Sequence, residues 1–254
     1  MRFEKVIPTQ KLQPYISYFA ISENDKIAEY KVFPSPGLVA GFQYRGKLTM
    51  INQHKETPLA SAGVTGISES CKIFKSSAGV GTILVYFTET GFSHFNSNPV
   101  HELFNQSVAL EDVFGKSRIA ELEEKLGNAD TDQQRVKITE NFFLSLLKDI
   151  HSDKLIIEAV KLIYDSKGAI RISELNKKLL ISQSPFEKRF RKLVGTSPKK
   201  FASIVRFNSV LKDLSCGKSL TDLCYENNFF DQAHFIKDFR QYTGNTPEQF
   251  RRFQ

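Results

Sequence analysis

Phe235-Ile-Lys-Asp-Phe-Arg-Gln-Tyr-Thr-Gly244-Asn-Thr-Pro247-Glu-Gln-Phe250 is a pattern that this chain uses twice. Forty-nine residues earlier stands Phe186-Glu-Lys-Arg-Phe-Arg-Lys-Leu-Val-Gly195-Thr-Ser-Pro198-Lys-Lys-Phe201, with its phenylalanine, glycine and proline positions in step. In the later copy Phe235, Phe239 and Tyr242 recur at helical spacing and mark one buried face. Asp231 is placed to cap the helix, its carboxylate accepting the free N–H groups of the first turn. Gly244 is placed to close it in a left-handed conformation, with Pro247 just beyond. Opposite the aromatics lie Gln232, Ala233, Ile236, Lys237 and Arg240. Such a short, partly basic face fits a DNA major groove; it equally fits an ordinary amphipathic surface helix.

Upstream of each copy, Ile172-Ser-Glu-Leu175 matches Leu220-Thr-Asp-Leu223 at an offset of 48, so the second copy carries one extra residue in its turn. Each copy therefore reads as helix, short turn, helix. Ser184-Pro185-Phe186-Glu187 reads as a capping box with Pro at the first helical position, and Ser219-Leu-Thr-Asp222 as the cap of the second supporting helix. Pro198 to Leu214 reads as a linking helix, with Phe201, Ile204, Val205, Phe207 and Leu211 apolar. Two reading heads on one rigid strut would enter successive major grooves, about 34 Å apart on one face of DNA. Ahead of them, Asp153 to Asp165 reads as a helix with Leu155, Ile156, Ala159, Leu162 and Ile163 on its apolar face, ended by Lys167-Gly168.

The front of the chain has a different period. Tyr30–Phe33, Leu38–Tyr44, Leu48–Asn52, Gly63–Ile67, Cys71–Phe74 and Thr82–Phe87 are short apolar runs spaced by Gly, Pro and Ser, the pattern of an antiparallel barrel or sandwich. Lys11 to Ala20 fits either a short helix or an extended lead-in. Ser117 to Gly127 reads as a helix. A second helix, Asp132 to Ile150, places Val136, Phe143, Leu147 and Ile150 along one face, widened by Phe142 and Leu146. These two helices cover the barrel or carry a dimer interface. A barrel interior lined by Phe, Leu, Val and Tyr is read as a packed core by default.

The 254 residues suffice for two domains of ordinary size or one large one, with an apolar fraction of 41% and a charged fraction of 25%, ordinary for a soluble globular protein. Residues 152–254 hold 19 Lys+Arg against 11 Asp+Glu, a net of +8, while the rest nets −1. A basic module joined to a neutral one points to a polyanion partner for the former and another task for the latter. The opening residues lack the apolar core of a signal peptide, and no long apolar run predicts a membrane span, so a cytoplasmic protein without a membrane partner is expected. Cys71, Cys216 and Cys224 are few and scattered, fitting free thiols in a reducing compartment. His54, His94, His101, His151 and His234 show no metal-ligand spacing; His94 and His101 would align only on a helix, and the intervening Asn-Ser-Asn-Pro reads as a loop. With no P-loop and no dinucleotide fingerprint, no enzyme, metal or cofactor is expected.

At this point the last hundred residues resemble the DNA-binding domain of the AraC/XylS family of bacterial transcription regulators. The resemblance is carried by Leu220-Thr-Asp-Leu-Cys224, Asn228-Phe229, Phe235-Ile-Lys-Asp-Phe-Arg240 and Gly244-Asn-Thr-Pro247-Glu-Gln-Phe-Arg251. There are departures. The turn glycine of the family is Asn228 in the second unit, which tolerates a left-handed conformation, and Leu180 in the first, where a positive φ is costly. The small residue of the supporting helix is Asn176 in the first unit, which leaves that unit open to being built or used differently. The front half resembles, more weakly, the barrel-like sensory halves of such regulators through Phe87-Thr-Glu-Thr-Gly-Phe-Ser-His-Phe95 and Val108-Ala-Leu-Glu-Asp-Val-Phe-Gly115.

The resemblance implies an α+β, multidomain chain: a cupin-like β-barrel or sandwich with two covering helices over 1–151, for sensing or dimerisation, and an all-α DNA-binding domain over 152–254. It implies double-stranded DNA and RNA polymerase as partners, often in an activator, with an unidentified small effector and a homodimer through the front-half helices as further options. The reading positions it carries over are Gln183, Ser184, Glu187 and Lys188 in the first unit, and Gln232, Ala233, Ile236 and Lys237 in the second. Gln pairs with adenine, Glu accepts from cytosine, Lys donates to guanine, and Ala or Ile meets the thymine methyl. Arg189, Arg191, Lys192, Lys199, Lys200 and Arg240 are read as phosphate contacts, with Arg251 and Arg252 either joining them or pairing with carboxylates. The reading of another class is a barrel-type ligand-binding protein or enzyme whose helical tail serves protein contacts.

Overall fold

The computed structural model describes residues 1–52, 55–148, 151–214, 220–227, 229 and 231–252, with the backbone alone for Leu220, Thr221 and His234. Among the described residues ten strands form two antiparallel sheets: β1 Arg2–Val6, β2 Ile16–Asn24, β3 Ala28–Val32, β4 Val39–Arg45, β5 Leu48–Asn52, β6 Lys55–Pro58, β7 Ala62–Thr65, β8 Lys72–Ser76, β9 Val80–Phe87 and β10 Ser107–Ala109. The larger sheet runs β1-β2-β9-β4-β7-β10 and the smaller β3-β8-β5-β6. The ambiguous lead-in resolves into a turn over 10–15 followed by β2, while β1, β6 and β10 had no sequence signal. Their residues are mostly exposed or short in run, so no apolar alternation marks them.

The register explains which face is core. Phe19 pairs with Val85, Ile21 and Phe42 with Ile83, and Ala40 with Val85, so these buried side chains share one face. That face is covered by α1 Leu110–Phe114, α2 Lys116–Gly127 and α3 Asp132–Leu146. Phe143 of α3 sits edge-on against Phe87 and Phe95 at 5.4 and 5.1 Å. Each buried phenylalanine contributes about 1.5–3 kcal/mol. The opposite face carries Tyr18 stacked on Tyr86 at 4.4 Å, toward Tyr30 of the smaller sheet. Burial pushes the Tyr86 hydroxyl up to about 12. The Phe- and Val-rich core thus lies under the helices, and the space between the sheets is lined more by tyrosine than expected. The α3 helix also stops short: Leu147 has ψ 120 and lies past its end, and Ile150 lies outside the described residues.

The helical half follows: α4 Lys154–Asp165, α5 Ile172–Lys178, α6 Gln183–Val194, α7 Pro198–Leu214, α8 Leu220–Glu226, α9 Gln232–Thr243 and α10 Pro247–Arg252. The two copies pack alike. Phe186 meets Phe190 at 5.7 Å and Phe190 meets Phe201 at 5.5 Å; the second copy repeats this with Phe235, Phe239 and Phe250 at 5.9 and 5.4 Å. Gly195 and Gly244 both close their helices at positive φ, 97° and 77°. Ser197 and Thr246 then cap the next helices through Lys200 N and Gln249 N. Gly168 (φ 76°) ends the α4 turn where a Cβ would stand 2.1 Å from the Ala202 carbonyl oxygen of α7, so only glycine lets strut and turn meet.

The first unit has the same build as the second despite its misfit residues. Leu180 adopts φ 50° with its side chain 93% exposed, and the Asn176 Oδ1 is buried without a partner among the described residues. The proposed Ser184 capping box is a misreading. The α6 helix begins at Gln183 with Ser182 as its cap position, which makes no side-chain bond, and Pro185 falls within the first turn, where its missing N–H is harmless. Asn228 and Ser219 lie outside the described residues.

Two outcomes follow for stability. Replacing Leu180 by glycine should relieve the left-handed strain and raise the unfolding free energy in urea by about 0.5–1 kcal/mol, whereas Leu180→Val should lower it. His94 is buried against Tyr15, with ring centroids 4.6 Å apart, and burial lowers its pKa. The unfolded imidazole titrates near pH 6.5 and the folded one lower, so the folded state binds fewer protons in between. Stability is complete above about pH 6.5 and declines as pH falls below it; in thermal melts from pH 7.5 to 5.5, His94→Gln should show a flatter dependence.

Candidate nucleic-acid interface

The buried rings of α6 and α9 dictate what their other faces present. Phe186, Phe190 and Val194 face inward on α6, and Phe235, Phe239 and Tyr242 on α9. The outward side of α9 shows Gln232, Ala233, Lys237 and Arg240 exposed, with Ile236 half-buried against the core. On α6, Gln183, Ser184 and Lys188 are exposed and Glu187 is half-buried. The Gln183 amide donates from Nε2 to Glu187 Oε1 at 3.0 Å, one turn apart on one face. Six of the eight expected reading residues are therefore exposed, while Glu187 and Ile236 sit half-buried beside them on the same two helices. Amide, carboxylate, ammonium and small apolar groups in this arrangement match the base edges and thymine methyl of a major groove.

The basic residues divide. Arg191, Lys192, Lys199 and Arg240 are exposed. Arg189 instead forks onto Asp153, its Nε and Nη2 donating at 2.9 and 2.7 Å, while Asp153 Oδ1 also accepts from Ile156 N at the start of α4. That pair ties α6 to α4 and leaves the guanidinium engaged. Lys200 stands 3.1 Å from Glu69 Oε1, in the segment between β7 and β8. Both residues thus hold internal contacts where phosphate contacts were expected. Arg251 is half-buried and Arg252 exposed.

One residue that the sequence did not single out links the turn after α4 to the second unit. Arg206 of α7 donates from Nη2 to the Gly168 carbonyl at 2.7 Å and lies 5.3 Å from the Phe229 ring. Its position between Val205 and Phe207, within an apolar helix, was the available clue. Asp153 was legible as a cap but not as the partner of Arg189, because the two are 36 residues apart. His94 lies in a 3-10 turn over Gly91–His94 and His101 in another over Val100–Leu103, with a loop between; His54 lies outside the described residues. Among the described residues no helix is long and apolar enough to cross a membrane.

Residues 175–252 match a family described as a helix-turn-helix domain, and residues 4–109 match a domain of unknown function, DUF6597. The Msm operon regulatory protein of Streptococcus mutans is 28% identical over 155 residues, 59% of this chain and 55% of that protein. An uncharacterized HTH-type transcriptional regulator of Staphylococcus aureus is 29% identical over 83 residues, 32% of this chain and 11% of that protein. The chain thus spans about half the length of the first relative and a small part of the second. The solved structure of ToxT from Vibrio cholerae aligns over 91% of this chain and 96% of that one, at 12% identity and a TM-score of 0.48.

The division of the basic residues has a measurable signature. Arg189→Ala should lower the thermal midpoint while leaving the salt dependence of duplex binding unchanged. Arg191→Ala or Lys192→Ala should leave the midpoint unchanged and reduce the slope of log affinity against log salt by about 1. Thermal melts and fluorescence anisotropy at several salt concentrations check both.

Proposed function

Since the chain belongs to the AraC/XylS family of helix-turn-helix proteins, we propose that it is a sequence-specific transcription regulator that reads two successive major grooves of double-stranded DNA. The observation that carries this reading is the pair of recognition helices, packed by the same three rings against the strut or its counterpart, each with an exposed polar outer side. Residues 152–254 form the DNA-binding domain. Gln183, Ser184, Glu187 and Lys188 read one half-site; Gln232, Ala233, Ile236 and Lys237 read the other. Arg191, Lys192, Lys199 and Arg240 contact phosphates and fix the register.

Residues 1–151 take the sensory part, in the cytoplasm. The half-buried Tyr18, Tyr30 and Tyr86 between the sheets, with the Lys72 amine donating to Ser107 Oγ across them, support a small effector there. Burial lowers the Lys72 pKa. The helices α2 and α3 serve as cover for the sheet: Arg118, Glu121, Glu124 and Lys125 of α2 are exposed and charged, a solvated face. The family resemblance supports RNA polymerase as the partner that gives the bound regulator its output.

Selection of genomic fragments by the full chain, followed by gel shift, tests the reading. The expected result is a duplex with two half-sites about 10 base pairs apart, bound at least a hundredfold more weakly at 200 mM than at 50 mM salt, roughly as several phosphate contacts require. Failure to retain any duplex at low salt would overturn it.

A further inference from the structure

We propose that Phe33, which belongs to the sheet half, is a positioning residue for the second helix-turn-helix unit. The inference rests on the DNA-binding reading above and extends it to a residue far outside the DNA-binding domain.

The two units are alike in three rings and differ in where a fourth comes from. In the first, Phe201 is met edge-on by Tyr164 of α4 at 5.9 Å, a residue of the same helical half. The counterpart of Phe201 is Phe250, forty-nine residues on. It is met by Phe33 at 5.5 Å and 64°, and Phe33 also stands 6.4 Å from Phe207 of the strut at 70°. Both are edge-to-face contacts, the favoured geometry for aromatic pairs. Phe33 therefore bridges strut and terminal helix, as Tyr164 fastens α4 to the strut in the first unit.

The segment that carries Phe33 is built to hold it. Phe33-Pro34-Ser35-Pro36-Gly37 joins β3 to β4, and its two prolines each fix φ near −65°. Ser35 Oγ donates to the Gly37 carbonyl at 3.0 Å. Pro34 is buried, and its carbonyl accepts from Asn208 Nδ2 of α7 at 3.0 Å. Beside it, Cys71 Sγ lies 3.6 Å from the Thr243 carbonyl at the end of α9. The first unit is held to the sheet half separately, by the 3-10 turn over Val100–Leu103 against α6 and Gly195 and by Tyr164 donating to Glu89. Each unit thus has an attachment that the other lacks, Phe33 for the second and the Val100–Leu103 turn for the first. The relative setting of the recognition helices is fixed by α7 and by the sheet half together.

The test uses the full chain and the duplex recovered by genomic selection, beside the same duplex with the second unit's half-site scrambled. Phe33→Ala should weaken binding to the intact duplex about tenfold, the effect of two lost ring contacts. It should also remove hydroxyl-radical protection over the second half-site only and leave affinity for the scrambled duplex unchanged. Phe33→Tyr, which keeps the ring, should restore both footprints. Should Phe33→Ala lose its folded circular-dichroism spectrum, Asn208→Ala decides by the same readouts from the opposite side of the contact. Two intact footprints at wild-type affinity in these variants, or equal loss over both half-sites, overturns the assignment to Phe33 while the regulator reading stands. A wild-type chain that recovers no duplex overturns both.

Discussion

The edge-to-face contact between a recognition helix and the helix that follows it is what the helical half is built on. Phe190 on Phe201 and Phe239 on Phe250 fix which side of α6 and α9 is turned inward, and everything presented outward follows by the helical period. Such pairs contribute about 0.5–1.5 kcal/mol each beyond the area they bury. They also have a preferred angle, which aliphatic packing lacks. The glycines at positive φ and the Ser197 and Thr246 caps then place each following helix across the same rings. A chain without tryptophan uses phenylalanine in this way in both halves, since Phe143 meets the larger sheet through the same geometry.

What was legible in the sequence was what repeats locally. The forty-nine-residue offset, the ring spacing and the closing glycines are short-range signals, and the helices stand where those signals put them. The start of α6 was misjudged because Ser184-Pro185-Phe186-Glu187 satisfies the letter of a capping box while Ser182 already occupies the cap position. The left-handed turn at Leu180 shows tertiary packing overriding a local preference of about 1–2 kcal/mol. The sheet strands with apolar alternation were visible; β1, β6 and β10, held by pairing with neighbours more than by burial, were not.

Charge pairing is the least local of these features. The excess of positive charge sits in the last hundred residues, yet charge alone could not say which cations are committed. Asp153 engages Arg189, and Glu69 engages Lys200; one partner lies at the entry to the helical half and the other between two strands. A carboxylate tens of residues away has no signature in sequence, although it decides whether a guanidinium can meet a phosphate.

The contacts between halves also bear on how such chains are assembled and recombined. Three connections of the sheets, 33–37, 67–71 and 88–106, carry the residues that touch the helical half: Phe33 and Pro34, Glu69 and Cys71, Glu89 and Val100. The sheet half and the helical half are therefore not interchangeable parts joined by a tether. A chimaera that takes its helical half from one protein and its sheet half from another would have to inherit these three connections with the helical half, because they are the parts that meet it. The strands between them lie outside that seam, so substitutions there can leave it in place.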